Sequence, residues 1–247
     1  MDKYGLIGYP LRHSLSSDYF NAKFQAEAID AEYINFEIPS IELLPAVLTD
    51  NPELRGFNVT IPYKEKIIPY LDALDPAARE IGAVNVVKII RRPGQKAQLK
   101  GYNSDYIGFK TSIEPLLDEH HRRALVLGTG GACKAICKGL EDLGIMPATV
   151  SRTFGKGMMT YDEITPDTMR EFKVIINCTP VGMYPYIGDS PRIDYELLTP
   201  GHLLFDLIYN PDETLFMKKG AQKGATVKNG MEMLLLQALS AWEIWQG

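Results

Sequence analysis

The chain has 247 residues, of which 45% are hydrophobic and 23% charged, a composition typical of a globular protein. Its formal net charge of −5 and its lack of long like-charge blocks argue against a surface that binds nucleic acid or a membrane. No apolar run approaches the ~18 residues of a membrane helix, and the first residues lack the pattern of a signal peptide.

The first hundred residues alternate between strand-like and helix-like patterns. This alternation is typical of an α/β layer with a largely parallel sheet. A Pro-Gly pair in 91–96 predicts a hairpin turn between the last two strands. The predicted elements are a strand at 3–10, a helix at 18–29, a strand at 33–38, a helix at 41–50, a strand at 57–61, a helix from 62, a helix at 75–82, and strands at 83–90 and 98–103.

A second α/β series begins near residue 105. Its last segment, from Met231, is a strongly apolar helix with no strand after it, so it must pack against structure already formed. We therefore predict two α/β domains with a cleft between them, residues 1–104 rejoined by 231–247, and residues 105–230. The predicted elements are a helix at 106–117, a strand at 123–128, a helix after the glycines that follow it, strands at 148–152, 173–179 and 203–209, a helix at 213–224 and a strand at 225–230.

The three cysteines are odd in number and form no C-x-x-C pair, which suits a reducing compartment. Cys133 and Cys137 are four residues apart on a predicted helix, but no nearby His or Cys completes a zinc site. We interpret these two cysteines as small core residues and predict no metal site. The expected location is the cytoplasm.

Lys64 stands in an unusual predicted position. Pro62 follows a strand and suits the first position of a helix, which places Lys64 in the first helical turn. A cation is disfavoured at that end, and the helix dipole would lower its pKa. A solvated surface lysine is the ordinary interpretation, and only the rest of the chain favours another.

A glycine-rich turn follows the strand that ends at Leu127 and precedes a helix. In this context glycines allow a tight turn and let backbone N–H groups approach a pyrophosphate. The third position of the G-x-G-x-x-G spacing is Cys133, so a plain structural turn is the alternative. The residues of this turn are Gly128, Thr129, Gly130, Gly131 and Ala132.

The next strand ends in Ser151, Arg152 and Thr153, with no carboxylate before Asp162. An NAD site usually has an acidic residue here, whereas a guanidinium suits the 2′-phosphate of NADP. The sequence therefore favours NADP over NAD, with a strand-end surface arginine as the alternative. Further polar residues follow the strands that end near Asn177 and Asp206, so several loops are expected to converge on one crevice.

Polar residues also lie at predicted strand ends in the first half. An amide at Asn85, inside an apolar strand, needs a hydrogen-bond partner if it is buried. A structural hydrogen bond for Asn85, and helix capping by Ser14, Ser16 and Asp105, are the alternatives to substrate binding.

These residues carry a resemblance to the shikimate dehydrogenase family over almost the whole chain. The resemblance implies a substrate domain, a Rossmann-type NADP-binding domain and the NADPH-dependent reduction of 3-dehydroshikimate to shikimate. The matching stretches, in chain order, are GYPLRHSLS, FNVTIPYKE, GAVNVV, GYNSDYIGF, LGTGGA, SRT, NCTPVGM, DLIYNP and NGMEMLLLQA.

The resemblance also implies roles for individual residues. Lys64 and Asp105 match the catalytic pair, with Lys64 as the proton donor or acceptor. Substrate binding is implied for both of these and for Ser14, Ser16, Asn58, Thr60, Asn85, Tyr209 and Gln237. Cofactor binding is implied for Gly128, Gly130, Gly131, Ala132, Ser151, Arg152, Thr153, Met183, Leu207 and Gly230.

The chain departs from the family pattern in three places. Ser17 replaces a usual proline, Ser151 replaces a usual asparagine, and residues 154–167 replace a regular helix, which is expected to trim the adenine side of the cofactor site. Two other interpretations stay open: a quinate or shikimate dehydrogenase that works in the catabolic direction, and a relative that binds ligands without turnover. A monomer and a homodimer are both compatible with the sequence.

Overall fold

The computed structural model describes residues 1–11 and 15–247. The described residues form two compact units, Met1–Ser104 with Ala238–Gly247, and Asp105–Gln237. The sequence predicts domain boundaries after residue 104 and before Met231, and the first compact unit ends at Ser104. The return to the first unit comes at Ala238, seven residues after the predicted Met231.

The first unit contains a six-stranded sheet in the order β2-β1-β3-β5-β6-β4. One face of this sheet packs on a largely aliphatic core that includes Leu54 and Ile67, and the other on an aromatic cluster that includes Tyr4 and Trp245. The elements are β1 (Asp2–Gly8), α1 (Leu15–Ala26), β2 (Ala31–Glu37), α2 (Leu44–Asp50), β3 (Leu54–Val59), β4 (Ala73–Leu74), α3 (Pro76–Ile81), β5 (Val86–Ile90) and β6 (Gln98–Tyr102).

The first sheet is mixed rather than largely parallel. Strand β1 is parallel to β2 and β3, whereas β5 is antiparallel to both β3 and β6. The predicted Pro-Gly turn explains part of this difference, because a short hairpin can join only antiparallel strands. The antiparallel direction of β5 brings its first residues to the edge where β3 ends.

The prediction of a helix from Pro62 is wrong. Residues 61–67 form turns, followed by a single 3₁₀ turn at Ile68–Tyr70. The carbonyl oxygen of Lys64 accepts a hydrogen bond from the Val84 N–H at 2.7 Å instead of from the next helical turn. Pro69 in turn has no N–H to continue a helix. The helix-dipole argument for Lys64 therefore does not apply.

The second unit contains a parallel six-stranded sheet in the order β12-β11-β10-β7-β8-β9. Cys133 is buried in its core, with Cys137 and Cys178 packed against that core, and all three are unpaired thiols. The elements are α4 (Asp105–Ile113), β7 (Arg123–Leu127), α5 (Gly131–Asp142), β8 (Met146–Ser151), β9 (Met159–Thr160), α6 (Pro166–Glu171), β10 (Val174–Asn177), β11 (Leu203–Asp206), α7 (Leu215–Gln222) and β12 (Thr226–Lys228).

The last helix, α8 (Met231–Gln246), forms as predicted. Met233 belongs to the core of the second unit with Phe109, and Ala241 and Trp245 belong to the aromatic cluster of the first. None of the helices in the described part of the chain is long and apolar enough to span a membrane.

Candidate active site

The glycine turn joins β7 to α5 in the second unit. Gly128 has a φ of +119°, a conformation that favours glycine, and an added Cβ would lie 3.3 Å from the carbonyl carbon of Cys178. Gly130 begins the helix without a side-chain cap from the described residues, and a Cβ there would meet nothing within 4 Å. The helix thus begins at a residue without a side chain, and a helix N-terminus of this kind suits an anionic group.

The strand-order reversal places this turn at a ligand-binding position. Counted in chain order within the second unit, the strands run 6-5-4-1-2-3, and the reversal lies between β7 and β10. Ligands of such sheets bind outside the carboxyl ends of the strands at this point. A Cβ added at Gly128, which follows β7, would lie 3.3 Å from Cγ2 of Thr179, which follows β10.

The segment Ser151–Thr153 follows β8, the neighbour of β7. The Ser151 Oγ accepts a hydrogen bond from the Thr153 N–H at 3.2 Å, which shapes this turn. Arg152 is exposed, and its charge opposes the rise in the pKa of Tyr161 that burial produces. Arg152 therefore follows the strand next to β7, the position at which the 2′-phosphate of NADP is expected. The open turn and this arginine fit NADP.

A buried carboxylate organises the ends of β10 and β11. Asp206 is fully buried and accepts hydrogen bonds from Asn177 Nδ2 at 3.0 Å, the Ile208 N–H at 3.1 Å and Thr214 Oγ1 at 2.7 Å. Burial raises the pKa of Asp206 to about 6, and the hydrogen bonds from these three donors oppose that rise. One side chain thus ties together two strand ends and the N-cap of α7.

Of the residues predicted to lie near the nicotinamide, Leu207 and Gly230 adjoin this network. The Leu207 N–H donates to the Asn177 carbonyl at 3.0 Å, and a Cβ on Gly230 would overlap the Leu207 carbonyl oxygen. Tyr209 is half-buried, and burial raises its pKa. Met183 is 45% exposed on the loop after β10.

Polar residues of the first unit converge on one sheet edge. Asn58 and Thr60 lie at the end of β3, and Asn85 immediately precedes β5, whose Val86 pairs with Asn58. Lys64 is half-buried, and its carbonyl is bonded to the residue before Asn85. The structure therefore brings Asn58, Thr60, Lys64 and Asn85 to the same edge.

The Asn85 side chain forms structural hydrogen bonds, one of the two alternatives that the sequence analysis gave for it. Asn85 is 4% exposed, its Oδ1 accepts from the Ser104 N–H at 2.7 Å, and its Nδ2 donates to Ser104 Oγ at 3.0 Å. Ser104 directly precedes Asp105, the first residue of α4. Asn85 therefore fixes the chain just before Asp105, a role compatible with substrate binding.

Asp105 and Gln237 lie on two helices that pack closely in the second unit. Asp105 is 2% exposed, and Gly108, one turn later, lies where a Cβ would be 3.1 Å from the Gln237 backbone N and 2.7 Å from the Met233 carbonyl oxygen. Glycine at this position permits the close approach of α4 to α8. Ser16 lies in the first turn of α1, and Ser14 falls outside the described residues.

The second unit thus has the strand order, glycine turn and strand-end residues of a dinucleotide-binding domain of the dehydrogenase type. A family model described as the shikimate dehydrogenase substrate binding domain matches residues 6–87, within the first unit. A curated shikimate dehydrogenase (NADP(+)) from Caldanaerobacter subterraneus is 37% identical over 99% of this chain and 91% of the relative. The chain belongs to the shikimate dehydrogenase family.

Solved structures agree with this assignment along the whole chain. A shikimate dehydrogenase from Aquifex aeolicus is 36% identical with a TM-score of 0.87, covering 100% of this chain and 93% of that one. A shikimate 5-dehydrogenase from Thermus thermophilus, solved in complex with NADP(H) and shikimate, is 30% identical with a TM-score of 0.86, covering 100% and 94%. The predicted fold class and family are confirmed.

Sequence reasoning missed two residues that contact the candidate site. Tyr33, on β2, donates a hydrogen bond to Asn58, and Thr214 caps α7 while donating to Asp206. Thr214 had a local signal, since Ser and Thr are common N-caps. Tyr33 had none, because its partner lies 25 residues away.

Proposed function

We propose that this protein catalyses the reversible NADPH-dependent reduction of 3-dehydroshikimate to shikimate, an NADP-dependent oxidoreductase step of aromatic amino acid biosynthesis. The observation that carries the proposal is the convergence of Asn58, Thr60, Lys64 and Asn85 at one sheet edge in a chain of this family. Amide, hydroxyl and ammonium groups at one edge suit a substrate with several hydroxyls and a carboxylate.

The proposed substrate contacts divide by chemistry. Donors such as Lys64 and the serine hydroxyls suit the carboxylate and the reacting oxygen, whereas the amides can both donate to and accept from ring hydroxyls. In this proposal the substrate-binding residues are Ser14, Ser16, Asn58, Thr60, Lys64, Asn85, Asp105, Tyr209 and Gln237.

The cofactor would be NADP, which supplies or accepts the hydride when bound. The start of α5 would hold its pyrophosphate, and Arg152 would hold the 2′-phosphate through paired N–H donors. The positions proposed to hold the cofactor are Gly128, Gly130, Gly131, Ala132, Ser151, Arg152 and Thr153, with Met183, Leu207 and Gly230 near the nicotinamide.

Lys64 would move the proton. Negative charge develops on the carbonyl oxygen during reduction, and a positioned ammonium lowers that barrier by donating a proton to the oxygen. In the oxidative direction the neutral amine accepts the proton from the hydroxyl. Asp105 is proposed as the carboxylate of the catalytic pair, which orients the lysine and the reacting hydroxyl.

A steady-state assay tests this function directly. Shikimate and quinate are each offered with NADP and with NAD, and formation of reduced nicotinamide is followed by absorbance. Turnover of shikimate with NADP and little else is expected. Comparable turnover of quinate, or a preference for NAD, would assign the protein to the catabolic alternative, and binding without turnover would make it a ligand-sensing relative.

Replacing Arg152 by alanine is expected to raise the KM for NADP by roughly 10- to 100-fold, the loss of a charge-assisted hydrogen bond of about 1.5–3 kcal/mol. The KM for NAD should stay the same, because NAD has no 2′-phosphate. The matched control is Arg170→Ala, an exposed arginine on α6 of the same unit. Equal effects of Arg152→Ala on both cofactors would argue against this contact.

We place the reaction in the cytoplasm, supported by three cysteines that form no disulfide in the structure. The protein would act as a monomer or a homodimer on small molecules, without nucleic-acid or membrane partners.

A further inference from the structure

The Tyr33 side chain is held rigidly within the aromatic cluster of the first unit. The residue is 3% exposed, and its ring stacks on Phe20 with centroids 4.9 Å apart and an interplanar angle of 11°. Asn21 of α1 clamps the backbone on both sides: the Tyr33 N–H donates to Asn21 Oδ1 at 2.9 Å, and Asn21 Nδ2 donates to the Tyr33 carbonyl at 3.0 Å. The phenolic oxygen therefore has a fixed position.

The phenol reaches across β1 to Asn58. Tyr33 pairs with Tyr4, and Leu6, two residues further along β1, pairs with Asn58, so both side chains lie on the same face of the sheet. Strands β2 and β3 flank β1 and are roughly 10 Å apart, a gap that a tyrosine can span towards an amide. Tyr33 Oη donates to Asn58 Oδ1 at 2.8 Å.

Two hydrogen bonds, one from the Tyr33 phenol and one to a backbone carbonyl, hold the Asn58 amide in one orientation. On its other side, Asn58 Nδ2 donates to the Asn85 carbonyl at 3.2 Å. A turned amide would place its oxygen against that carbonyl oxygen, where neither atom has a hydrogen to donate. The second hydrogen on Nδ2 and the second lone pair on Oδ1 thus keep defined directions.

The same phenol also contacts Ser16. Burial raises the pKa of Tyr33 well above its usual value, and a hydrogen bond from the Ser16 hydroxyl opposes that rise. The hydrogen bond to Asn58 thus links Tyr33 to a side chain that the proposed function assigns to the substrate.

We propose that Tyr33 is a positioning residue for the substrate, which holds the Asn58 amide in the position that binds the ring hydroxyls. This inference rests on the proposed function. A chain with phenylalanine here would keep the packing of the cluster and lose one of the two hydrogen bonds that hold the Asn58 amide.

The test compares two variants that each remove one phenolic oxygen from the same aromatic cluster. Tyr33→Phe is expected to raise the KM and Kd for shikimate about tenfold, the scale of one hydrogen bond, with kcat and the KM for NADP changed less than about twofold. Tyr4→Phe is the matched control. Tyr4 is also buried, but its hydroxyl accepts from Gln246 Nε2 at 3.2 Å rather than contacting a proposed substrate residue.

A double-variant cycle shows whether Tyr33 acts through Asn58. The Kd for shikimate is measured by calorimetry for the wild type, Tyr33→Phe, Asn58→Ala and the double variant. Calorimetry measures binding even for a variant that has no activity. The effect of Tyr33→Phe is expected to fall below about threefold once Asn58 is alanine, because the two residues share one network.

The outcomes separate this inference from the proposed function. If the wild type does not turn over shikimate, the proposed function itself is wrong. Normal wild-type turnover with equal effects of Tyr33→Phe and Tyr4→Phe, or with a Tyr33→Phe effect that persists undiminished in the Asn58→Ala background, would overturn the role of Tyr33. A Tyr33→Phe protein that unfolds at the assay temperature would overturn it as well, since the hydroxyl would then be structural.

Discussion

Lys64→Ala is expected to lower kcat for shikimate oxidation by ~10² to 10⁴, with little change in the KM for shikimate. The loss arises because no group at this position can then take the proton from the hydroxyl as the hydride leaves. The remaining polar residues at the sheet edge still bind the ground state, so KM is affected less than kcat. Steady-state kinetics with saturating NADP measure both constants.

Lys66→Ala is the matched control, since Lys66 lies two residues away and is exposed whereas Lys64 is half-buried. This control should retain wild-type kcat. Added primary amines should partly restore turnover to Lys64→Ala, which a merely structural defect would not allow. Near-normal turnover by Lys64→Ala would rule out the proton-donor role, and so would an equal loss in Lys66→Ala.

Elements with strong local signals follow the sequence closely. Gly128–Gly131 lie between an apolar strand and an amphipathic helix, and β7 and α5 form on either side of them. The apolar periodicity after Met231 likewise predicts α8 from its first residue. These signals suffice because residue spacing and the turn preference of glycine are properties of the local chain.

The errors came where a distant residue decides the local structure. Apolar spacing after Pro62 indicates a helix. However, the Lys64 carbonyl accepts a hydrogen bond from Val84, twenty residues away, and Pro69 has no N–H to donate to a helical hydrogen bond. The strand before it, predicted at 57–61, is β3 at Leu54–Val59. Short strands such as β4 and β9 were missed, because two residues show no periodicity.

The candidate site was predictable in its residue types but not in its partners. Polar residues at strand ends point to a ligand edge, and the family resemblance assigns them roles. Which atom of Asn58 or Asn85 remains for a ligand depends on Tyr33 and Ser104, whose positions follow from sheet register. Register is set by tertiary pairing, which a single sequence does not reveal.

Asp206→Ala is expected to lower the free energy of unfolding by about 3 kcal/mol near pH 5, because three buried donors lose their acceptor. These donors are Asn177 Nδ2, the Ile208 N–H and Thr214 Oγ1. Urea denaturation measures the change. Asp189→Ala is the matched control, since this aspartate is exposed in the same unit.

The decrease in the free energy of unfolding caused by Asp206→Ala should become smaller as the pH rises. Burial raises the pKa of Asp206 from 3.8 to about 6, so between these values the folded protein binds this proton more tightly than the unfolded chain. The stability that protonation contributes is therefore fully present below the unfolded pKa and lost as the pH rises through the folded pKa. One unit below a folded pKa of about 6, this contribution is about 1.4 kcal/mol, and at pH 8 it is absent.

Asp206→Asn separates the charge from the hydrogen bonds. Its amide resembles the protonated carboxyl and does not titrate, so its stability relative to the wild type should improve from pH 5 to pH 8 by the same ~1.4 kcal/mol. If the difference in free energy of unfolding between the wild type and either variant grows with rising pH, the pKa of Asp206 is not raised. The three hydrogen bonds would then stabilise the charged carboxylate more than its burial destabilises it. A gap that is constant with pH would mean that Asp206 titrates alike in both states, and its role would then be hydrogen bonding alone.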